Sequence, residues 1–565
     1  MSQYKIISLF FVVAFIGLSF ISDGSSEESM TSGVVKPISC SLRVGYITPT
    51  SDTFWIEAGK GGTIPAEMNL PNDLGKVGIL NASGEIQMKG HPFFEPIGSN
   101  GRACVTCHQP INGMSVSVES IRKRWRITQG ADPIFAAIDG SNNPKLPQNL
   151  ESSHSLLLNR GLFRIALPWP GKDEKGKEIK PEFTIEVVRD PTGVNSDPDY
   201  GLKSASPHIS VFRRPRPVAN MKYVMSPDPV FNIKTGTLAV TDLETGLTVG
   251  MNLMADSRLY TLKQQAVNAY EEHLEGHIGL SKQQLQQILN FENQIYVAQS
   301  FDKWGGSLVE KNEPAGLGTK NLLSGKVHVL GNNNRDPIFH WFENWKMSSS
   351  ELLAMSYEPS RDSSQLTAHS SKLMAQKAFR ASVARGNDIF MFREFWIRDV
   401  THVNSIGLGN PVRRSCTTCH NGQMTGQDLA PGWIDLGTTN YPTWTENTLL
   451  ESSSQVSAFT TKVETLHATS LPVFKCTCDK SAPPHPYLGR VIYTNDPGRA
   501  LVTGKCADIG SIVMQQFRGL AARAPYFANG SAKNFRELID YYDRRFDMKL
   551  SEQDKVDLES FLSVL

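Results

Sequence analysis

Two short stretches carry residue types that do chemistry at a fixed spacing. GRACVTCHQP, residues 101–110, and RRSCTTCHNG, residues 413–422, each hold two cysteines three positions apart and a histidine directly after them. CxxCH is the attachment pattern of c-type haem. Two thiols presented by the start of a helix reach one edge of a macrocycle and form thioethers with its vinyl groups. The adjoining imidazole becomes an axial ligand of the iron. The pattern assigns Cys104, Cys107 and His108 to a first haem and Cys416, Cys419 and His420 to a second. A four-cysteine zinc site built from the two CxxC pairs is the competing reading, and it leaves both histidines unexplained. A redox CxxC of thioredoxin type needs a βαβ setting that the flanking sequence does not offer.

The other cysteines and the N-terminus bear on where such a protein works. Lys5 precedes the apolar run IISLFFVVAFIGLSFI, residues 6–21, and small polar residues follow. This is the layout of a signal peptide, residues 1–24, and it predicts a periplasmic or secreted protein. The apolar run is short for a bilayer-spanning helix. An oxidising compartment permits disulfides. Cys40, Cys476, Cys478 and Cys506 remain outside the CxxCH motifs, and four cysteines allow three pairings. A bond from Cys506 to Cys476 or Cys478 closes a short loop and is preferred. A net charge of +1 gives no electrostatic case for nucleic acid. With 565 residues, 40% apolar and 20% charged, the chain can build two or three globular cores.

The elements that must position the motifs follow from periodicity. Residues 25–90 read as an extended lead-in that packs on the core. SVESIRKRW, 117–125, reads as helix, while EFTIEVVRD and HISVFRRP cluster β-branched residues and read as short strands. Residues 259–274 and 281–301 read as amphipathic helices, the second capped by Ser281. Residues 302–365 read as a long irregular connection. Helix resumes over 369–390, residues 421–510 are loop-rich, and 534–546 and the segment after Ser551 are terminal helices, the last with a capping-box variant through Asp554.

Four stretches together resemble one family. They are NGRACVTCHQP, DSRLYTLKQQA (256–266), CTTCHNGQMTGQDLAPGWIDLG and RGLAARAPYFANGSAKNFRELIDYYDRRF (518–546). In this order they resemble the bacterial di-haem cytochrome c peroxidase superfamily, which includes the MauG-type enzymes. They span roughly a third of the chain. The resemblance implies a mainly α fold of two cytochrome c-like haem domains. The first, residues 25–301, would carry short β-strands in an insertion. Residues 302–368 would connect it to the second, 369–565.

The same resemblance implies an exported oxidoreductase that reduces hydrogen peroxide with electrons relayed between two haems. A small electron-donor protein, such as a mono-haem cytochrome or a cupredoxin, would serve it. Calcium between the domains and a homodimer are further family features. Counting about twenty residues from the position of the family's inter-haem tryptophan, here Ala255, lands on Glu275 as the distal acid, with His277 as an alternative. Trp125 is the nearest substitute for the missing tryptophan. No histidine occurs from 109 to 153, so Met114 and His154 are the nearest ligand types and the first haem is expected to be open to peroxide or oxygen. Ser511 stands where the family places a Met or Tyr ligand to the second haem, and Met514, three on, takes that expectation. Ala528 replaces a family histidine; Met424 and His485 are outside candidates. Alternative activities are an oxygenase or protein-modifying oxidase of the rubber-oxygenase or MauG-like kind, and a non-enzymatic electron carrier or haem-based sensor.

Overall fold

A computed structural model describes residues 54–173, 176–225, 252–314, 316–325, 342–348, 350, 368–420, 433–440 and 470–565. These fall in one contact unit, Thr48–Leu565. The expected signal peptide, Cys40 and Met424 lie outside the described residues.

The fold is not mainly α, contrary to the expectation from the resemblance. Among the described residues, fifteen strands in six sheets accompany the helices. Nor are the strands confined to an insertion. A four-stranded sheet runs in the order Glu67–Asn72, Gly75–Asn81, Ile295–Asp302, Gly306–Ser307. The third of these strands occupies what reads as the end of a helix over 281–301. Ser281 caps that helix as expected, accepting from the Gln284 N–H, but the helix stops at Gln294. The next residues, IYVA, are mostly β-branched or aromatic, and they gain a partner in Gly75–Asn81, with Val297 opposite Ile79. Tertiary pairing overrides the helical period that the preceding turns set up.

The strand readings in the middle of the chain hold as elements, with distant partners. Phe163–Pro168 pairs antiparallel with His208–Arg213, placing Arg213 opposite Phe163. Phe183–Arg189 pairs with Val473–Cys478, which in turn pairs with Val491–Thr494. Cys478 is disulfide-bonded to Cys506, while Cys476 keeps its thiol in the same apolar cluster.

The C-terminal helices form much as their periodicity predicts. Ala368–Phe392 packs along Glu552–Ser563. Their backbones approach so closely that a Cβ at Gly386 would lie 2.0 Å from the Asp557 carbonyl oxygen. The Asp557 carboxylate accepts from Ser382 Oγ at 2.6 Å and from Arg385 Nε at 2.8 Å. Ser551 caps the last helix, accepting from the Asp554 N–H. Helix Phe535–Phe546 turns its apolar face inward, burying Phe535, Ile539, Tyr541 and Phe546.

Candidate functional site: two cysteine-lined cavities

Each CxxCH motif opens onto its own cavity. The first spans about 1270 Å³ of atom-free space and the second about 1370 Å³, in each case including space open to solvent. The two CxxC pairs therefore do not come together as a four-cysteine site. No group of three or more His, Cys, Asp or Glu side chains among the described residues is arranged to hold a bare metal ion. All four thiols are free, and burial pushes Cys107, Cys416 and Cys419 up to about 12 and Cys104 higher still. Such thiols lack the depressed pKa of a redox CxxC.

At the first motif, Cys104–Cys107 forms one short helical turn, closed by the His108 N–H donating to the Cys104 carbonyl at 3.1 Å. The His108 Nδ1 meets the Met114 carbonyl at 3.1 Å. That contact holds the ring by one nitrogen and leaves Nε2 as the ligating atom. Burial lowers the imidazole to about 4, so it stays neutral and able to coordinate. Helix Leu262–His273 lines the opposite part of this cavity through Gln265, Ala266, Ala269 and His273, a spacing that falls on one helical face.

His273 ends that face in a charged chain. Its Nδ1 lies 2.8 Å from Asp139 Oδ2, and Asp139 Oδ1 is paired with the buried Arg102 guanidinium. Burial raises the Asp139 carboxyl, but Arg102 and His273 outweigh it and hold the group below its usual value. The first cavity is also lined by Arg213, Arg214, Arg216, Arg258 and Glu292. Arg213 is neutralised by Asp496 at 2.7 Å and Asp256 at 2.5 Å. Arg214 and Arg216 have no carboxylate partner among the described residues. Arg214 donates to the carbonyls of Arg160, Val116 and Arg523, and Arg216 to those of Val513 and Met514. Burial, then the nearby Arg523, lowers both guanidiniums to about 9.

The second cavity is different in kind. Cys416–Thr418 forms a 3-10 turn, with the His420 N–H donating to the Cys416 carbonyl at 3.0 Å. The walls are apolar, with Phe395, Ile434, Leu538, Ile539, Tyr542 and Phe546 among them. The Phe517 ring lies 4.7 Å from the His420 ring. No Asp, Glu, Lys or Arg lines this cavity among the described residues, and Met514, 6% exposed, is one of its walls.

The cavities share a wall. Gln516 lines both. The Val513 N–H, from the second cavity's wall, donates at 2.8 Å to the carbonyl of Ala255, which lines the first. Arg216 reaches from the first cavity to the Met514 carbonyl at 2.7 Å. Ala255 thus meets the second cavity's wall through its backbone.

The structure brings Cys104, Cys107 and His108 together at one cavity and Cys416, Cys419, His420 and Met514 at the other. It does not bring Glu275 or His277 to either. Glu275 lies in a left-handed turn (φ 51°) whose carbonyl accepts from Ser99 Oγ, and His277 is exposed beside Ile278. Trp125 packs on Phe135 and His154 at 4.9 and 5.1 Å in a core cluster; Met114 is core. His154 has both ring nitrogens on carbonyls, and His485 lies by Asp435. Ser511 lines neither cavity, whereas Ala528 lines the second. The sequence reading missed His273, whose signal was its helical spacing from Gln265 and Ala269. It also missed Asp139, Glu292 and the arginines, which carry no local signal.

A further cleft of about 1140 Å³ is lined by Asp73, Asn112 and Glu119, and Asn112 Oδ1 is buried there without a partner. No family model matches the chain, and no curated protein or solved structure matches it.

The residues of the first cavity fit a covalently attached haem. Two thiols sit on one edge, a neutral imidazole has one nitrogen already engaged, and the walls are largely apolar. Two buried guanidiniums lack the carboxylates that the macrocycle's own acid groups would provide. The second cavity supplies the thiols, the imidazole, a thioether and an apolar enclosure.

Proposed function

We propose that the chain is an exported di-haem c-type oxidoreductase that reduces hydrogen peroxide in its first cavity, using electrons that enter at the second. The observation that carries this reading is two CxxCH motifs at two adjoining cavities, of which, among the described residues, the first alone is lined by Asp, Glu and Arg side chains. Cys104, Cys107 and His108 would hold one haem; Cys416, Cys419 and His420 would hold the other, with Met514 as its thioether ligand. Bound there, haem supplies one-electron redox chemistry and, in the first cavity, an iron that peroxide can approach.

The reaction H2O2 + 2 e⁻ + 2 H⁺ → 2 H2O needs protons moved between oxygens. His273 is the group for that task, in place of Glu275 or His277. Asp139 holds its Nδ1 and so sets the tautomer, leaving Nε2 to take a proton from one peroxide oxygen and return it to the other. Arg102 keeps Asp139 ionised. Arg214 and Arg216 would neutralise the cofactor's carboxylates. Apolar walls around Met514 suit a site that stores an electron, because a thioether ligand and exclusion of water both raise the reduction potential. Half-exposed Phe392 and Trp396 flank Phe395 of that wall and offer landing area for a small electron-donor protein. Calcium would find oxygen donors in the cleft of Asp73, Asn112 and Glu119.

The test is stoichiometric. Haem-loaded protein supplied with a reduced cytochrome or cupredoxin should oxidise two donor molecules for each peroxide consumed. Protein with two covalent haems and no peroxide turnover would overturn the reading. One observation favours an oxygenase as the second reading. Asn252 and Gln265 line the first cavity, and Asn252 Oδ1 and Gln265 Oε1 are buried without partners among the described residues, a hydrogen-bonding capacity that could hold an organic substrate. Oxygen binding by the reduced protein, without peroxide turnover, would favour it.

A further inference from the structure

The ionisable groups of the first cavity are accounted for by partners, with one exception. Asp139 is held by Arg102 and His273, Arg213 by Asp256 and Asp496, and Arg258 by Asp256 and Glu272. Arg214 and Arg216 have their carbonyls. Cys104, Cys107 and His108 are the attachment and ligand residues. Glu292 stands apart. It lies near the C-terminal end of helix Lys282–Gln294, 3% exposed, and lines the cavity near Ile288, Met221 and Val224.

Among the described residues no donor reaches Glu292 Oε2 and no cation pairs with the carboxyl; the Cys104 thiol is close enough to feel its charge. Two effects then disfavour its ionised form. The carboxyl is buried beside apolar Ile288 of its own helix, and the nearby helix C-terminus presents the negative end of the backbone dipole. Burial accordingly pushes the carboxyl up to about 8. A group so placed, free of a fixed counter-charge, responds to any change of charge in the cavity.

We propose that Glu292 is the proton-coupling residue of the first cavity, binding a proton when an electron enters that cavity and releasing it when the electron leaves. The proposal rests on the haem reading above. Its balance is simple. A donor protein or chemical reductant gives one electron, solvent gives one proton, and an O–H bond forms on the Glu292 carboxylate; oxidation reverses each change. Apart from Arg214 and Arg216, whose guanidiniums are held by carbonyls, His273 is the other titratable group among the described residues of the cavity wall that is neither an attachment residue nor a buried, charge-paired one, so the experiment has to separate it from Glu292.

Redox titrations of haem-loaded wild type, Glu292→Gln, Glu292→Asp and His273→Gln, followed optically from about pH 6 to pH 9, make that separation. In the wild type the first site's midpoint potential should fall as pH rises. Glu292→Gln should remove that dependence and leave the second site's potential alone. Glu292→Asp, which keeps the carboxyl, and His273→Gln should both retain it. Redox-difference infrared spectra should show a protonated carboxyl band that is missing in Glu292→Gln. An unchanged pH dependence in Glu292→Gln with both haems attached would overturn this proposal alone, as would its loss in His273→Gln. If Glu292→Gln loads no haem, the infrared band and the Glu292→Asp titration decide. Absence of covalent haem from the wild type would overturn the functional reading, and this proposal with it.

Discussion

The two cavities start from the same five-residue pattern and end as opposites. Both present paired thiols and a histidine to a cavity. The first then gathers His273, Asp139, Glu292 and four arginines on its wall, while the second gathers aromatic and aliphatic side chains and Met514. On the proposed reading the motif would place a cofactor, and the wall would decide what that cofactor can do. Ionisable groups in a low-dielectric enclosure can move protons and stabilise charge, whereas an apolar wall can do neither and instead sets a potential.

Deleting one motif at a time should have the largest effect. Cys104→Ala/Cys107→Ala and Cys416→Ala/Cys419→Ala should each lose the mass of one covalent haem in a denaturing mass spectrum. The first should also abolish the reaction with peroxide, and the second should leave peroxide binding spectra in place. Loss of both haems from either variant would mean that the cavities are not independent sites.

Next in size is the acid–base contrast. His273→Gln should slow peroxide reduction by about 10²–10⁴-fold with haem content intact, while Glu275→Gln and His277→Gln change nothing. A His273→Gln enzyme that turns over normally would remove the residue from the mechanism.

Glu292 gives a pH-dependent stability difference. Its folded carboxyl ionises near 8, against 4.5 for the ordinary group. Between those values the unfolded chain has released the proton and the folded chain keeps it, so wild-type stability declines as pH rises through that window and levels off above it. Urea unfolding should therefore find Glu292→Gln equal to wild type below the window. The variant should gain on it steadily as pH rises, reaching at most about 5 kcal/mol. A gap that does not vary with pH would mean that Glu292 has a counter-charge after all. The smallest effect concerns Arg214. In haem-loaded protein Arg214→Met should lower stability by about 2 kcal/mol, the worth of hydrogen bonds to a charged group. Without that loss, the unmatched guanidinium is not a partner of the cofactor. Among the described residues the second cavity has no arginine at which the same test could be made.

The terminal helices were legible because their stabilising pattern is local. Ser551 with Asp554, and the apolar stripe through Phe535, Ile539 and Phe546, lie within a few residues of one another. The end of the helix beginning at Lys282 was not legible, because IYVA takes the strand form only where Gly75–Asn81 lies beside it. The mainly α reading failed for the same reason. Phe183–Arg189 finds its sheet in Val473–Cys478, from the other half of the chain.

By itself the sequence determined which side chains could carry a cofactor: a spacing of two thiols and an imidazole is a covalent fact, independent of everything outside ten residues. It also determined that Cys506 has two close candidates for a disulfide. Tertiary structure alone chose Cys478, brought Asp139 to His273, left Glu292 without a counter-charge among the described residues, and put Gln516 in both cavity walls. Those choices depend on which distant segments pack together and how much water they exclude. Burial and charge pairing are sums over neighbours in space, and neighbours in space are what a linear reading does not contain.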